Sequence, residues 1–284
     1  MTVPDLIGCY WTLAGAVTLG SHDESPWSFR DRAEAAARAG YRGIGLKHAD
    51  LVKSVAVLGY GEMRAILAGN GLRHLEVEAL SDWWRDGAGR VASDIARRDL
   101  IDAAGALGAR HIKLYGPLFP QPGDTIHRMR EAFADVVAEV RDAGAIVVLE
   151  PIGCSGIPDL ATALAVIGDT AGRGAGVMLD LWHVTRGGIA LKDIAALPAG
   201  WIGGVEIDDG AAEPEGDYLT ETMNRRRLCG EGTFDIPGFM AAVRSAGYGG
   251  PVGVEIISEA ERALSLEEAA RRSFETACRA LDKG

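Results

Sequence analysis

The chain has 284 residues, 48% of them hydrophobic and 24% charged, and a formal net charge of −11 from 29 basic and 40 acidic side chains. That composition supports a sizeable core and excludes general disorder, and the acidic balance excludes unaided binding to a nucleic-acid backbone, which rests on clustered Lys and Arg. No basic segment precedes an apolar core at the N-terminus, and no apolar run approaches the ~20 residues that span a bilayer. Cys9, Cys154, Cys229 and Cys278 have neither CxxC nor short-chain disulfide spacing, so reduced thiols in a cytoplasmic protein with no membrane partner are expected.

A first strand is expected at residues 7–11. From there one pattern recurs: a helical segment rich in Ala and Arg, a Gly-containing turn, then a short β-branched run. It is read in ARAGYRGIGL, LAGNGLRHLEV, GALGARHIKLYG, VRDAGAIVVLEP, DTAGRGAGVMLD, LPAGWIGGVEID and SAGYGGPVGVEI. Gly just past a helix end takes the left-handed conformation that closes the last turn, so each copy reads as a helix stop followed at once by a strand start. Strands are expected to begin at about residues 7, 42, 73, 110, 145, 175, 201 and 251, close to the ~30-residue period of a βα unit. The segments between them, such as DTIHRMREAFADVVAEVRDAG, alternate apolar and charged positions at helical spacing.

The turn after strand one, CYWTLAGAVTLG, lacks the G-x-G-x-x-G loop of an open doubly wound sheet. Eight units without a composition break predict an α/β chain forming one (β/α)8 TIM barrel domain over residues 1–284, with all strand C-termini on one face. The longest interval, between strands seven and eight, contains IDDGAAEPEGDYLTETMNRRRLCGEG and is expected to cover the mouth of that face.

Four apolar runs in the second half end on acids: VVLEP on Glu150, VMLDLWH on Asp180 with His183 three residues on, GGVEIDD on Glu206 and Asp208, and VGVEI on Glu255. One acid after an apolar run is commonly just the residue that meets water. Four at successive strand ends of a barrel converge, and clustered carboxylates need protons or a cation; an oxygen-rich set suits one divalent ion, Mn²⁺ or Mg²⁺. His183 is placed to contact substrate or to sit beside the metal. Among Arg225, Arg226 and Arg227, one is a candidate anchor for a carboxylate or phosphate, against plain pairing with nearby acids. Trp11, Trp83, Trp84 and Trp182 fall at strand ends, where aromatics wall a sugar pocket or simply pack under loops. His48, Glu78, Lys47 and Lys113 are further strand-end candidates for substrate contact.

LEP at 149–151, LDLWH at 179–183, the run R-R-L-C-G-E-G-T-F-D-I at 226–236 and GYGGPVGVEI at 247–256 resemble the xylose isomerase-like TIM-barrel superfamily, specifically its sugar phosphate isomerase/epimerase group. The resemblance spans the chain and is sharpest from residue 145. It implies that Glu150 and Glu255 both bind metal and act as the paired acid and base, that Asp180 completes the coordination, and that His183 contacts substrate. Arg226 matches the Arg before the G-E-G turn, which meets a polar or anionic substrate end. The family usually carries His, sometimes Gln, on strand seven; here that position is Glu206, with Asp208 as the alternative, a departure that makes the site more anionic.

The expected activity is therefore metal-dependent isomerisation or epimerisation of a sugar or related polyol or keto acid, by proton transfer through an enediolate between Glu150 and Glu255. Metal ligands are Glu150, Asp180, Glu206 and Glu255; substrate contacts are His183, Arg226, Trp11 and His48. Rival readings are a dehydratase acting on a cyclic polyol or dehydroshikimate-like acid, and a non-catalytic sugar-binding barrel. A three-zinc endonuclease is disfavoured, because the only histidines are His22, His48, His74, His111, His127 and His183. The expected partner is a small-molecule carbohydrate or polyol; homo-oligomerisation is compatible with the resemblance.

Overall fold

The computed structural model describes residues 3–18 and 23–282, so His22 lies outside the described residues. The first half of the chain runs β1 Leu6–Gly8, α1 Tyr10–Leu13, α2 Phe29–Ala39, β2 Gly43–Lys47, α3 His48–Gly69, β3 His74–Leu80, α4 Gly87–Leu107, β4 His111–Tyr115 and α5 Ile126–Asp142. The second half runs β5 Ile146–Glu150, α6 Leu160–Ile167, β6 Ala175–Asp180, α7 Leu181–Arg186, α8 Leu191–Ala195, β7 Ile202–Ile207, α9 Tyr218–Asn224, α10 Ile236–Ser245, β8 Val252–Val254 and α11 Leu266–Leu281. Each strand begins within one residue of the start expected from the helix–Gly–strand repeat. All neighbouring strands pair in parallel, and β8 returns to β1 with Ile7 opposite Gly253, closing a (β/α)8 TIM barrel.

Local chemistry sets the joints. Gly40 ends α2 at φ 117°, donating its N–H to the carbonyls of Ala36 and Ala37, and β2 follows three residues later. Ser28, Thr125, Asp159 and Ser265 cap α2, α5, α6 and α11 by accepting the N–H three residues on, which satisfies one orphan donor of each first turn. Among the described residues no helix is long and apolar enough to cross a membrane.

Strand side chains alternate between two environments. Ile44, Leu46, Leu75, Val77, Ile112, Leu114, Val147, Leu149, Val177 and Leu179 are buried in the apolar core with Leu100, Phe133, Val136 and Phe239 of the helices. The other parity faces the barrel axis. Where many barrels place branched aliphatics, this one places Glu76 and Glu78 on β3, His111 and Lys113 on β4, and Glu206 on β7, all buried. Burial pushes Glu76 up to about 7 and, aided by Lys113 and Arg110, drives His111 down to about 3. Their facing atoms, 3.5 Å apart, are thus a neutral imidazole and, below about pH 7, a neutral carboxyl.

The packing of this polar interior leaves no room at Gly253 on β8. A Cβ there would lie 2.7 Å from Cys9 Sγ and 2.8 Å from Glu206 Cγ. Gly253→Ala is expected to destabilise the protein by about 1–3 kcal/mol through overpacking. Chemical denaturation measures it; an unchanged midpoint would show that Glu206 is free to move.

Candidate active site

The acids at the strand ends converge. Glu150 ends β5, Asp180 ends β6, Glu206 is one residue from the end of β7, and Glu255 follows β8. One carboxylate oxygen from each lies within 4.8 Å of those of the other three, and all four residues are buried. Above them opens a cavity into which Glu150, Glu255, Glu78, Lys113, His183 and Arg226 project from the floor. Its walls are largely apolar: Trp11, Tyr115, Leu118, Ile152, Met223 and Ile257. Asp180 and Glu206 lie under the floor.

Two buried cations hold this cluster together. Lys113 Nζ, reaching across the barrel from β4, lies 2.6 Å from Glu206 Oε1, 3.1 Å from Glu255 Oε1 and 2.9 Å from Glu78 Oε2. An ammonium has three N–H donors, and all three are directed to carboxylates. Burial alone would lower the Lys113 pKa, but Glu206, Glu255 and Glu78 outweigh it and hold the group well above its usual value. Arg226 Nη1 lies 2.6 Å from both Asp180 Oδ2 and Asp208 Oδ2, and 3.1 Å from Glu255 Oε2. Glu255 is therefore gripped on one oxygen by Lys113 and on the other by Arg226.

Glu150 has no such grip. Its Oε1 is buried without a hydrogen-bond partner, and burial, with Glu255 and Asp180 nearby, pushes it up to about 8. Without a further cation it is a neutral acid at pH 7. Glu206 and Asp208 are also raised, chiefly by burial and then by their acidic neighbours. Glu206 Oε2 is a second buried oxygen without a partner.

Neighbouring elements fix the orientations. Asp180 is both the last residue of β6 and the cap of α7: its Oδ1 accepts the Trp182 N–H at 2.8 Å, which leaves Oδ2 facing the cluster. One turn into α7, His183 presents Nε2 at 3.7 Å from both Glu150 Oε1 and Asp180 Oδ2. Its Nδ1 bonds Tyr218 OH at 2.8 Å, and that hydroxyl accepts the Gly153 N–H at 3.0 Å. In the tautomer in which Tyr218 donates to Nδ1, the ring proton sits on Nε2 and faces the carboxylates. Burial and then Arg226 hold His183 well below its usual pKa, so the ring is neutral.

The segment carrying Arg226 is fastened at two places. Asp209 accepts from the N–H groups of Gly210, Gly230 and Phe234 at 2.8–2.9 Å, and its backbone exchanges hydrogen bonds with Arg227. On the other side Arg226 N–H donates to the Ile257 carbonyl. Before it, α9 contributes Leu219, Thr222 and Met223 to the cavity. This short helix is anchored by a buried ion pair between Glu221 and Arg186 at 2.8 Å, while Arg262 donates to the Met223 carbonyl.

Of the residues singled out in the sequence, Glu150, Glu255, His183, Arg226 and Trp11 meet at the cavity, with Asp180, Glu206 and Asp208 directly beneath. His48 does not join them. β2 ends at Lys47, so the two-residue alternation sends Lys47 to the cavity and His48 outward, where its Nε2 pairs with Asp99 at 2.8 Å. Trp83 and Trp84 are buried, donating to the Tyr115 carbonyl and to Asp124, and Trp182 is buried beneath Arg226. Tyr218 and Asp209 escaped sequence reasoning. Both act through contacts distant in sequence, and a Tyr or Asp in a polar loop carries no periodic signal.

A divalent ion fits this donor set. Two buried, unpartnered oxygens, Glu150 Oε1 and Glu206 Oε2, belong to a group of four carboxylates close enough to share one ion, and an all-oxygen set is the preference of a hard cation.

A family model described as "Xylose isomerase-like TIM barrel" matches residues 33–279. No curated protein matches the chain in sequence. Among solved structures, the chain resembles an IOLI protein with a binding zinc atom at TM-score 0.85 and 17% identity, covering 98% of both chains. It resembles D-allulose 3-epimerase from Methylomonas sp., in complex with D-allulose, at TM-score 0.71 and 19% identity, covering 97% of this chain and 96% of that one. A third match, a xylose isomerase-like TIM barrel/4-hydroxyphenylpyruvate dioxygenase fusion protein, has TM-score 0.80 and 18% identity; the chain spans 97% of its own length but 42% of the fusion.

Proposed function

The chain belongs to the xylose isomerase-like TIM-barrel family, and from that premise we propose that it is a divalent-metal-dependent isomerase or epimerase of an unphosphorylated sugar or polyol. The observation that carries this reading is the pair Glu150 and Glu255, both open to one cavity above a four-carboxylate cluster. The acidic floor and the apolar walls suit a neutral, hydroxyl-rich molecule. Among the described residues that line the cavity, the cation besides Lys113 and Arg226 is Lys47, which lies over the Trp11 ring and is paired with Asp23 at 2.8 Å, an arrangement that favours a neutral substrate over a phosphorylated one.

Glu150, Asp180, Glu206 and Glu255 would hold the ion, Mn²⁺ or Mg²⁺ by their all-oxygen chemistry. When bound, it supplies positive charge that stabilises an oxyanion developing on the substrate. The protein's own groups handle the proton. Glu255, held by Lys113 and Arg226, is oriented to take a proton from the carbon beside a carbonyl, and Glu150 to return one from the other side of a planar enediolate. His183 Nε2, between Glu150 and Asp180, is placed to donate a hydrogen bond to a substrate hydroxyl. Trp11 and Met223 exclude water and set the sugar's plane.

The reading is tested by incubating the protein in D₂O with free ketohexoses and their phosphates, with Mn²⁺ or after chelation, and following the C–H resonances by NMR. Metal-dependent deuterium incorporation into a free ketose, with an epimer or isomer as product, is expected. Loss of water in place of exchange would assign the site to the dehydratases, and no exchange with any free sugar would overturn the proposal.

A further inference from the structure

Glu206 is the residue at which this chain departs from the resemblance that its other site residues carry. Its surroundings contain a buried cation. Lys113, which reaches the cavity floor from β4 on the far side of the barrel, has Nζ 2.6 Å from Glu206 Oε1. Both side chains are within a few per cent of complete burial. The contact uses one oxygen of Glu206 and leaves the other, Oε2, without a partner, and Glu206 is one of the four grouped carboxylates.

We propose that Lys113 and Glu206 form one electrically neutral unit of the metal seat: the lysine cancels the charge of the fourth carboxylate through Oε1 and leaves Oε2 available to an ion. The inference rests on the metal-dependent reading above and deepens it, because it gives Lys113, a residue at the cavity floor, a part in setting ion affinity. The charges balance. Counted over the four carboxylates and the two buried cations, and leaving out Glu78 and Asp208, which touch the same cations and whose burial favours their neutral forms, four negative charges meet two positive ones and one divalent ion brings the set to zero. Removing Lys113 alone leaves a site with one negative charge too many, and removing the Glu206 charge alone leaves a buried ammonium opposed to the ion. Removing both restores the balance. The lysine's other contacts, to Glu255 Oε1 and Glu78 Oε2, fix its head so that it cannot swing away from the ion.

The test is a double-mutant cycle read as Mn²⁺ affinity by titration calorimetry on the full chain freed of metal by chelation, with far-UV circular dichroism confirming that each variant is folded. Glu206→Gln is expected to weaken Mn²⁺ binding by at least about 30-fold, because it strands Lys113 beside the ion. Adding Lys113→Met to Glu206→Gln is expected to recover most of that loss, to within about 10-fold of the unmodified protein. Lys113→Met alone is expected to bind Mn²⁺ about 10-fold more tightly. If either single variant does not fold, the charge-balanced double variant decides: near-native affinity supports the unit, and a loss of about 100-fold overturns it. A double variant no better than Glu206→Gln, or a Glu206→Gln variant that binds as the unmodified protein does, also overturns it. In both cases metal binding by the unmodified protein leaves the functional reading standing. Absence of any Mn²⁺ or Mg²⁺ binding by the unmodified protein overturns that reading and the neutral unit together.

Discussion

Glu255→Gln is expected to abolish exchange of the substrate's C–H proton with solvent and to lower kcat by at least about 10³-fold. The carboxylate is the proton acceptor in the proposed reaction, and an amide of the same shape has no basicity to replace it. A second effect accompanies the first. Glu255 accepts from Lys113 through Oε1 and forms an ion pair with Arg226 through Oε2, so an amide sets an NH₂ group against one of two cations that can only donate. That mismatch costs about 1–3 kcal/mol and lowers the unfolding midpoint without preventing folding. NMR in D₂O measures the exchange, and thermal unfolding measures the stability. Turnover within a factor of a few of the unmodified protein would remove Glu255 from the chemistry.

Arg226→Met is expected to be the most destabilising single change in the site, by about 3–5 kcal/mol, because it leaves buried carboxylates without their counter-ion. One guanidinium nitrogen serves Asp180, Asp208 and Glu255, and while Glu255 keeps Lys113 and faces the cavity, neither aspartate reaches water to recover its hydration. Of the three, Asp208 is outside the proposed proton-transfer pair and outside the four-carboxylate group, and its pKa is already pushed well up by burial and Asp180. Arg226→Met/Asp208→Asn is therefore expected to recover about half of the loss, since the charge removed from Asp208 no longer needs a partner. Urea denaturation of both variants in chelator and in saturating Mn²⁺ checks this. A single variant within about 1 kcal/mol of the unmodified protein would mean that these acids are already neutral without the arginine.

Much of the barrel was legible in the chain, because its signals are local. A helix end, a left-handed glycine such as Gly40 and a β-branched run occupy consecutive residues, so the strand starts followed from short windows of sequence. The acids Glu150, Asp180, Glu206 and Glu255 were legible for the same reason: each terminates an apolar run, and parallel strands in a closed barrel bring their ends to one face. The interior was much less so. Lys113 and Glu78 read as marginal strand-end polar residues because their partners lie across the barrel, in segments about 35 to 140 residues away. His48, read as a strand-end residue, opens α3 and does not line the cavity, whereas Lys47, the last residue of β2, does. Asp209 and Tyr218 hold the Arg226 segment and His183 through loop contacts that no periodicity announces.

The roof helix α9 has a consequence for selection among sugars. Its buried Glu221–Arg186 pair, the Arg262 contact to the Met223 carbonyl and the Asp209 clamp behind it join the roof to the barrel by bonds that exist before any ligand arrives. In the proposed reaction a sugar would meet an aperture of set width, and discrimination would fall on shape at entry, with little energy left to be drawn from closure around the right molecule. Competing ketoses should then differ in kcat/KM according to how their hydroxyls clear Met223 and Leu219, and the backbone amides of residues 218–226 should be nearly as slow to exchange in the free protein as in the complex.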